Sequence, residues 1–173
     1  MDLADHQRKL LGLIRSSYQV TAADEIYFQN VSESRHLKEV RRNVYLWRVY
    51  VLERTCALTF NLLRQRDLLE PSLNAFIKQY NISPFRETQG PAFLESLLDH
   101  QDRLVASVAQ FELAMMKARA GEGGSTTVLW KTDPVPVLAS LARNKFLSVN
   151  GEAGDYETTI SRDLPSLFET RRL

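Results

Sequence analysis

The side chains of this chain that could do chemistry are three histidines, one cysteine and a carboxylate set in apolar sequence. His6, His36 and His100 lie far apart, and none has a second metal-binding residue at helical spacing. Cys56 is the only cysteine, so no disulfide can close within the chain, and a reducing cytoplasm suits it. Its apolar neighbours fit a buried, inert thiol. No GxSxG elbow is present to expose a nucleophilic serine. GEGGS, from Gly121, resembles a phosphate loop but is not followed by GK[ST], so it reads as a linker. No catalytic set and no metal site is expected in this chain.

Glu112 remains, with Arg41 and Arg48. On a helical wheel of residues 33–63, Leu37, Val40, Val44, Trp47 and Val51 form one apolar stripe. Tyr45, Val49, Leu52, Cys56, Phe60 and Leu63 form a second, and Arg41 and Arg48 fall between the two. In residues 102–119, Glu112 lies within an arc of Leu104, Val108, Phe111 and Met115. A lone buried charge is costly, and a guanidinium fits a carboxylate. The expectation is an ion pair from Glu112 to Arg48 or Arg41, holding two helices in register.

The elements that must position these groups can be read in turn. Residues 3–18 have helical spacing, 19–31 read as a connection, and Ser32 or Ser34 can cap the long helix. That helix runs to about Arg66, with a break expected near Tyr50–Leu52. Pro71 opens a helix over 70–80, NISPFRETQGP reads as a loop, and Pro91 starts the next helix. Asp102 opens a longer helix that Gly121 ends. Beyond the linker the pattern changes: TTVLW is strand-like, KTDPVP a turn, VPVLASLARN a short helix, GEAGD a second turn and YETTISR a strand. The fold class is α+β. A helical domain, 1–120, is followed by a small module, 126–173, with an antiparallel sheet and a short helix.

Bulk composition narrows the function. The chain has 173 residues, 44% hydrophobic and 25% charged, with a net charge of +1. Residues 35–66 nevertheless hold eight Lys/Arg against two Glu. Arg35, Lys38 and Arg42 lie on the wet side of the long helix and are free for a partner. The apolar content of that helix argues against its lying along a DNA groove, so nucleic acid is disfavoured. No run of about 18–20 apolar residues is available to span a bilayer. YETTISR, short and polar on both faces, reads as an edge strand able to take on an extended peptide. Its alternation puts Tyr156, Thr158 and Ile160 on one side, and Glu157, Thr159 and Ser161 on the other, with Arg162 at its end.

The run RRNVYLWRVYVLERTCALTFNLL, then LEPSLNAFIKQY and GPAFLESLLDHQDRLVASVAQFELAMMKA, resembles a bacterial domain family labelled DNA-binding. The matching features are Asn43 and Tyr45 in the first helix, Phe60 in the next, Phe76 with Tyr80, Phe93 with Leu94, and Glu112 in the last. The ending, DPVPVLASL followed by YETTISRDLPSLF, is similar to a subgroup of that family. Its members accompany multinuclear non-haem iron oxygenases that modify cysteine in ribosomally made peptides, as in methanobactin and 3-thiaglutamate pathways. The chain lacks the proline that much of the broader family carries after Phe60. The resemblance spans about residues 33–170. It implies a non-catalytic partner subunit that binds the leader of a precursor peptide by strand addition and forms a heterodimer with the oxygenase. Any iron would belong to the enzyme, and this chain would hold no cofactor. The alternative is a DNA-binding domain of a transcription-associated protein.

Overall fold

The structure, a computed structural model, describes residues 2–79, 86–147 and 152–173. It is an α+β fold with eight helices and one three-stranded antiparallel sheet among the described residues. The chain divides into two compact units, Met1–Tyr50 and Val51–Leu173.

The first unit contains α1 (Leu3–Ile14), α2 (Ile26–Glu33) and most of α3 (Arg35–Thr55). Leu13, Phe28 and Leu37 form its core, with Leu10, Tyr18 and Val31 packed at the margin. The 19–31 connection therefore contains a helix, because Phe28 and Val31 recur at helical spacing on the core side. Asp24 ties the intervening turn together. It accepts from Lys9 Nζ at 2.6 Å, from the Tyr18 hydroxyl, and from the Thr21 amide at 2.8 Å. Lys9 first, then Tyr18 and Thr21, hold its carboxyl far below the usual range. Ser34 caps α3 as expected, its hydroxyl accepting from the Leu37 amide at 3.1 Å.

The long helix breaks at Cys56 rather than near Tyr50–Leu52, and α4 (Ala57–Gln65) follows. The second unit continues with α5 (Leu69–Gln79), α6 (Arg86–Glu95), α7 (Arg103–Ala120), β1 (Thr126–Thr132), α8 (Pro134–Ala142), β2 (Ala153–Ile160) and β3 (Phe168–Arg172). Tyr80, expected to close α5, lies outside the described residues, as do residues 81–85 of the expected loop. Residues 86–91 of that loop are helical, and Pro91 sits inside α6 instead of starting it. Asp102 caps α7 through the Leu104 amide, and Gly121 ends it at φ 75°, where a glycine is at ease.

The sheet order is β1-β2-β3. Its inner face carries Val128, Trp130, Tyr156, Thr158 and Ile160, all buried. Phe111 of α7 meets Trp130 and Phe168 edge-on, at 6.1 and 5.3 Å between ring centres. The buried Thr158 hydroxyl is satisfied by Trp130 Nε1 at 3.0 Å and the Thr170 hydroxyl at 2.9 Å. The sheet thus shares its core with α7, and residues 121–125 link two parts of one unit. The expected turns at KTDPVP and GEAGD are shorter than the sequence suggests. β1 runs through Thr132, and Ala153–Asp155 already belong to β2. Gly151 lies outside the described residues.

Candidate functional site

The expected ion pair is replaced by two separate arrangements. Glu112 accepts from the Leu58 and Thr59 amides, each at 2.9 Å. These are among the orphan donors at the start of α4, where Cys56 supplies no side-chain cap. A carboxylate from α7, more than fifty residues along the chain, therefore caps α4 and fixes the helix break at Cys56. Burial raises the Glu112 pKa, and the two amides work against that rise. Arg41 donates Nε and an Nη to the Leu13 carbonyl at 2.8 and 2.6 Å, closing the C-terminal end of α1. Arg48 is buried, and burial first and the nearby Arg15 charge second lower its pKa.

The Cys56 thiol is pushed up to about 12, chiefly by burial and then by Glu112. It is protonated at neutral pH and a poor nucleophile. No group of three or more His, Cys, Asp or Glu among the described residues is placed to hold a metal ion.

The strand expected at an edge is the central one. β2 pairs with β1 from Thr126↔Ile160 to Trp130↔Tyr156, and with β3 from Tyr156↔Arg172 to Ile160↔Phe168. Its backbone is committed on both sides, so Tyr156, Glu157, Thr158, Thr159 and Ile160 cannot take an added strand. Ser161 and Arg162 follow the strand's end, and the Ser161 amide donates to the Leu167 carbonyl at 2.9 Å. Period-two alternation reports which face is buried; it carries no information on what lies alongside. FETRR carries no strand signal in the sequence, because its charges disguise β3.

The two real edges differ. Antiparallel pairing alternates, so every second residue of an outer strand turns its backbone outward. In β1 the outward carbonyls include those of Thr127 and Leu129. They accept from Gln110 Nε2 at 3.3 Å and from the Ser107 hydroxyl at 2.9 Å, both on α7. In β3 the bonds Ser161 N→Leu167 O and Leu173 N→Asp155 O set the phase, so odd-numbered residues face β2. Phe168, Thr170 and Arg172 turn their N–H and C=O groups outward, and these meet no partner among the described residues. Among the described residues the β3 edge is therefore open.

The wet-side basic residues are placed as expected: Arg35, Lys38 and Arg42 are exposed on α3, and Arg35 pairs with Glu39 at 2.9 Å. Val40 and Trp47, expected in the core, are exposed instead, with Trp47 at 56%. Together with Leu46 and Tyr50 they give α3 an apolar outer face, and the Trp47 and Tyr50 rings meet at 5.8 Å. No helix among the described residues is long and apolar enough to cross a membrane. Compared with protein-family models, with curated proteins and with solved structures, the chain matches none.

Proposed function

We propose that this chain is a non-catalytic binding subunit that holds an extended peptide along the outer edge of β3. The observation that carries the reading is the row of outward backbone groups on Phe168, Thr170 and Arg172. Backbone hydrogen bonds supply affinity in this mode, and side chains on alternate positions supply selectivity. The charges of Glu169, Arg171 and Arg172 guard the edge against indiscriminate pairing. By its sequence resemblance, the peptide is the leader of a ribosomally made precursor, and the partner is an iron-dependent oxygenase acting on a cysteine of that peptide. The enzyme would meet the outer face of α3. There Trp47 and Tyr50 offer the large rings that dominate interfaces, and Lys38 and Arg42 steer an acidic surface.

Co-expression of the full chain with its genomic neighbours tests both parts. A stoichiometric complex with an iron-containing oxygenase, plus a saturable interaction with a short encoded peptide, is the expected result. Recovery of the chain alone, with affinity for duplex DNA that falls steeply with salt, would overturn it in favour of the DNA-binding reading.

A further inference from the structure

At one end of the sheet a cleft of about 490 Å³ opens between the start of α7, the end of β1 and the start of β2. Its size is in the range of small-ligand sites. Leu104, Trp130 and Tyr156 supply its apolar walls. Two cations, Arg103 and Lys131, stand with one carboxylate, Asp155. Lys131 is engaged by Asp155 at 2.6 Å. Arg103 has no ion pair among the described residues. It also sits in the first turn of α7, where the helix dipole is already positive and a cation is the wrong sign. The neighbouring Asp102 carboxylate is taken by the Leu104 amide and by Arg66. The cleft therefore pairs an apolar floor with a cation, Arg103, that has no ion pair among the described residues.

We infer that this cleft takes an apolar side chain followed by an acidic residue, both belonging to the peptide held on β3. The inference rests on that reading for the identity of the ligand. Continuity supports it, because Leu173, the residue after β3, lines the cleft. A peptide leaving the β3 edge at this end crosses two strand spacings, about 10 Å, to reach the mouth, which is about three extended residues.

The test uses the full chain labelled with nitrogen-15 and the capped dipeptides acetyl-Phe-Asp-amide and acetyl-Phe-Lys-amide. Both are too short to add a strand. Saturable shifts of the Leu129–Thr132 and Tyr156 amides are expected, with the Asp dipeptide binding at least fivefold more tightly. Arg103→Glu should abolish that preference. Ala106→Trp, which fills the cleft, should remove the shifts. Thr170→Pro, placed on the open edge, should leave dipeptide binding intact. No saturable shift in the native chain, or equal binding of the two dipeptides, would overturn the inference. Loss of long-peptide binding in Thr170→Pro alongside unresponsive cleft amides would sink the cleft while keeping the edge. Dipeptide binding without any long-peptide binding would do the reverse.

Discussion

Along β1 the outward carbonyls of Thr127 and Leu129 take hydrogen bonds from Gln110 and Ser107 of α7, whereas along β3 the outward groups of Phe168, Thr170 and Arg172 meet no partner among the described residues. Both strands end the same sheet and have the same antiparallel neighbour. What separates them is a helix. α7 packs its apolar side on the sheet and sends two polar side chains past the β1 rim. Strand sequence alone does not decide whether an edge is open; the adjoining element does. A closed edge and an open one within a single sheet also give each experiment an internal control.

The largest effect should come from the strand between the two edges. Thr159 pairs with Glu169, and its N–H points toward β3. Thr159→Pro removes that ladder bond and forces a ring into a strand paired on both sides. A loss of roughly 3 kcal/mol or more is expected in urea unfolding. A mild loss would mean that β2 is not central and that the distinction between the edges is misplaced.

The closure of β1 depends on where α7 sits, and Glu112 anchors α7 to α4. Glu112→Gln keeps one acceptor oxygen and sets an NH₂ against the other amide, at a cost of about 2 kcal/mol. The pH dependence sharpens this. Burial raises the folded pKa of Glu112 above 4.5, so the folded state binds the proton more tightly than the unfolded state. The associated stabilisation is complete below 4.5 and is lost as pH rises through the folded pKa. Glutamine does not titrate, so the gap between wild type and Glu112→Gln should narrow from pH 4 to pH 7. Asp24 in the first unit has the opposite sign. Its lowered pKa contributes stability above about 3.8 that is lost as pH falls through the folded value. A gap that widens with pH would show that the two amides, not burial, govern Glu112.

The open edge is tested next. Thr170→Pro deletes an outward N–H that no ladder bond uses, so peptide affinity should fall about tenfold, or ~1.4 kcal/mol. Stability should drop only by about 1 kcal/mol, because the Thr158 hydroxyl loses a partner. Thr170→Val removes the same hydroxyl and keeps the N–H, so it should match the stability loss and bind peptide normally. Equal binding by both variants, measured by titration calorimetry, would remove β3 as the template.

Local signals in the sequence were legible, and long-range ones were not. Ser34, Asp102 and Gly121 end or start helices within two or three residues of where they act, so their chemistry can be read directly. The helical body followed by a small sheet was legible for the same reason, since periodicity is local. The buried setting of Arg48 could also be read, because two apolar stripes flank it. The partners could not. Arg41 finds a carbonyl 28 residues away, and Glu112 finds amides 53 and 54 residues away. A carboxylate and a guanidinium in apolar sequence suggest each other, yet backbone groups at helix ends satisfied Glu112 and Arg41 instead. Trp47 and Val40 show the same limit from outside: a stripe marks an apolar face, and only packing determines whether anything covers it. The edge and the cleft depend on strand order, which no stretch of sequence encodes by itself.

The smallest change in stability per substitution should come from opening the closed edge. Ser107→Ala and Gln110→Ala each remove one exposed side-chain bond to a β1 carbonyl, worth about 0.5–1 kcal/mol. The double variant should therefore stay folded while β1 gains a row of outward groups like that of β3. If side chains of α7 are what close this edge, the variant should bind a second peptide, or self-associate through β1, at concentrations where wild type does neither. Sedimentation and peptide stoichiometry read this directly. A double variant that remains monomeric with one peptide bound would show that the bulk of α7, not its two hydrogen bonds, keeps β1 closed. The difference between the edges would then be steric, and substitutions on the helix surface could not transfer the peptide from one side of the sheet to the other.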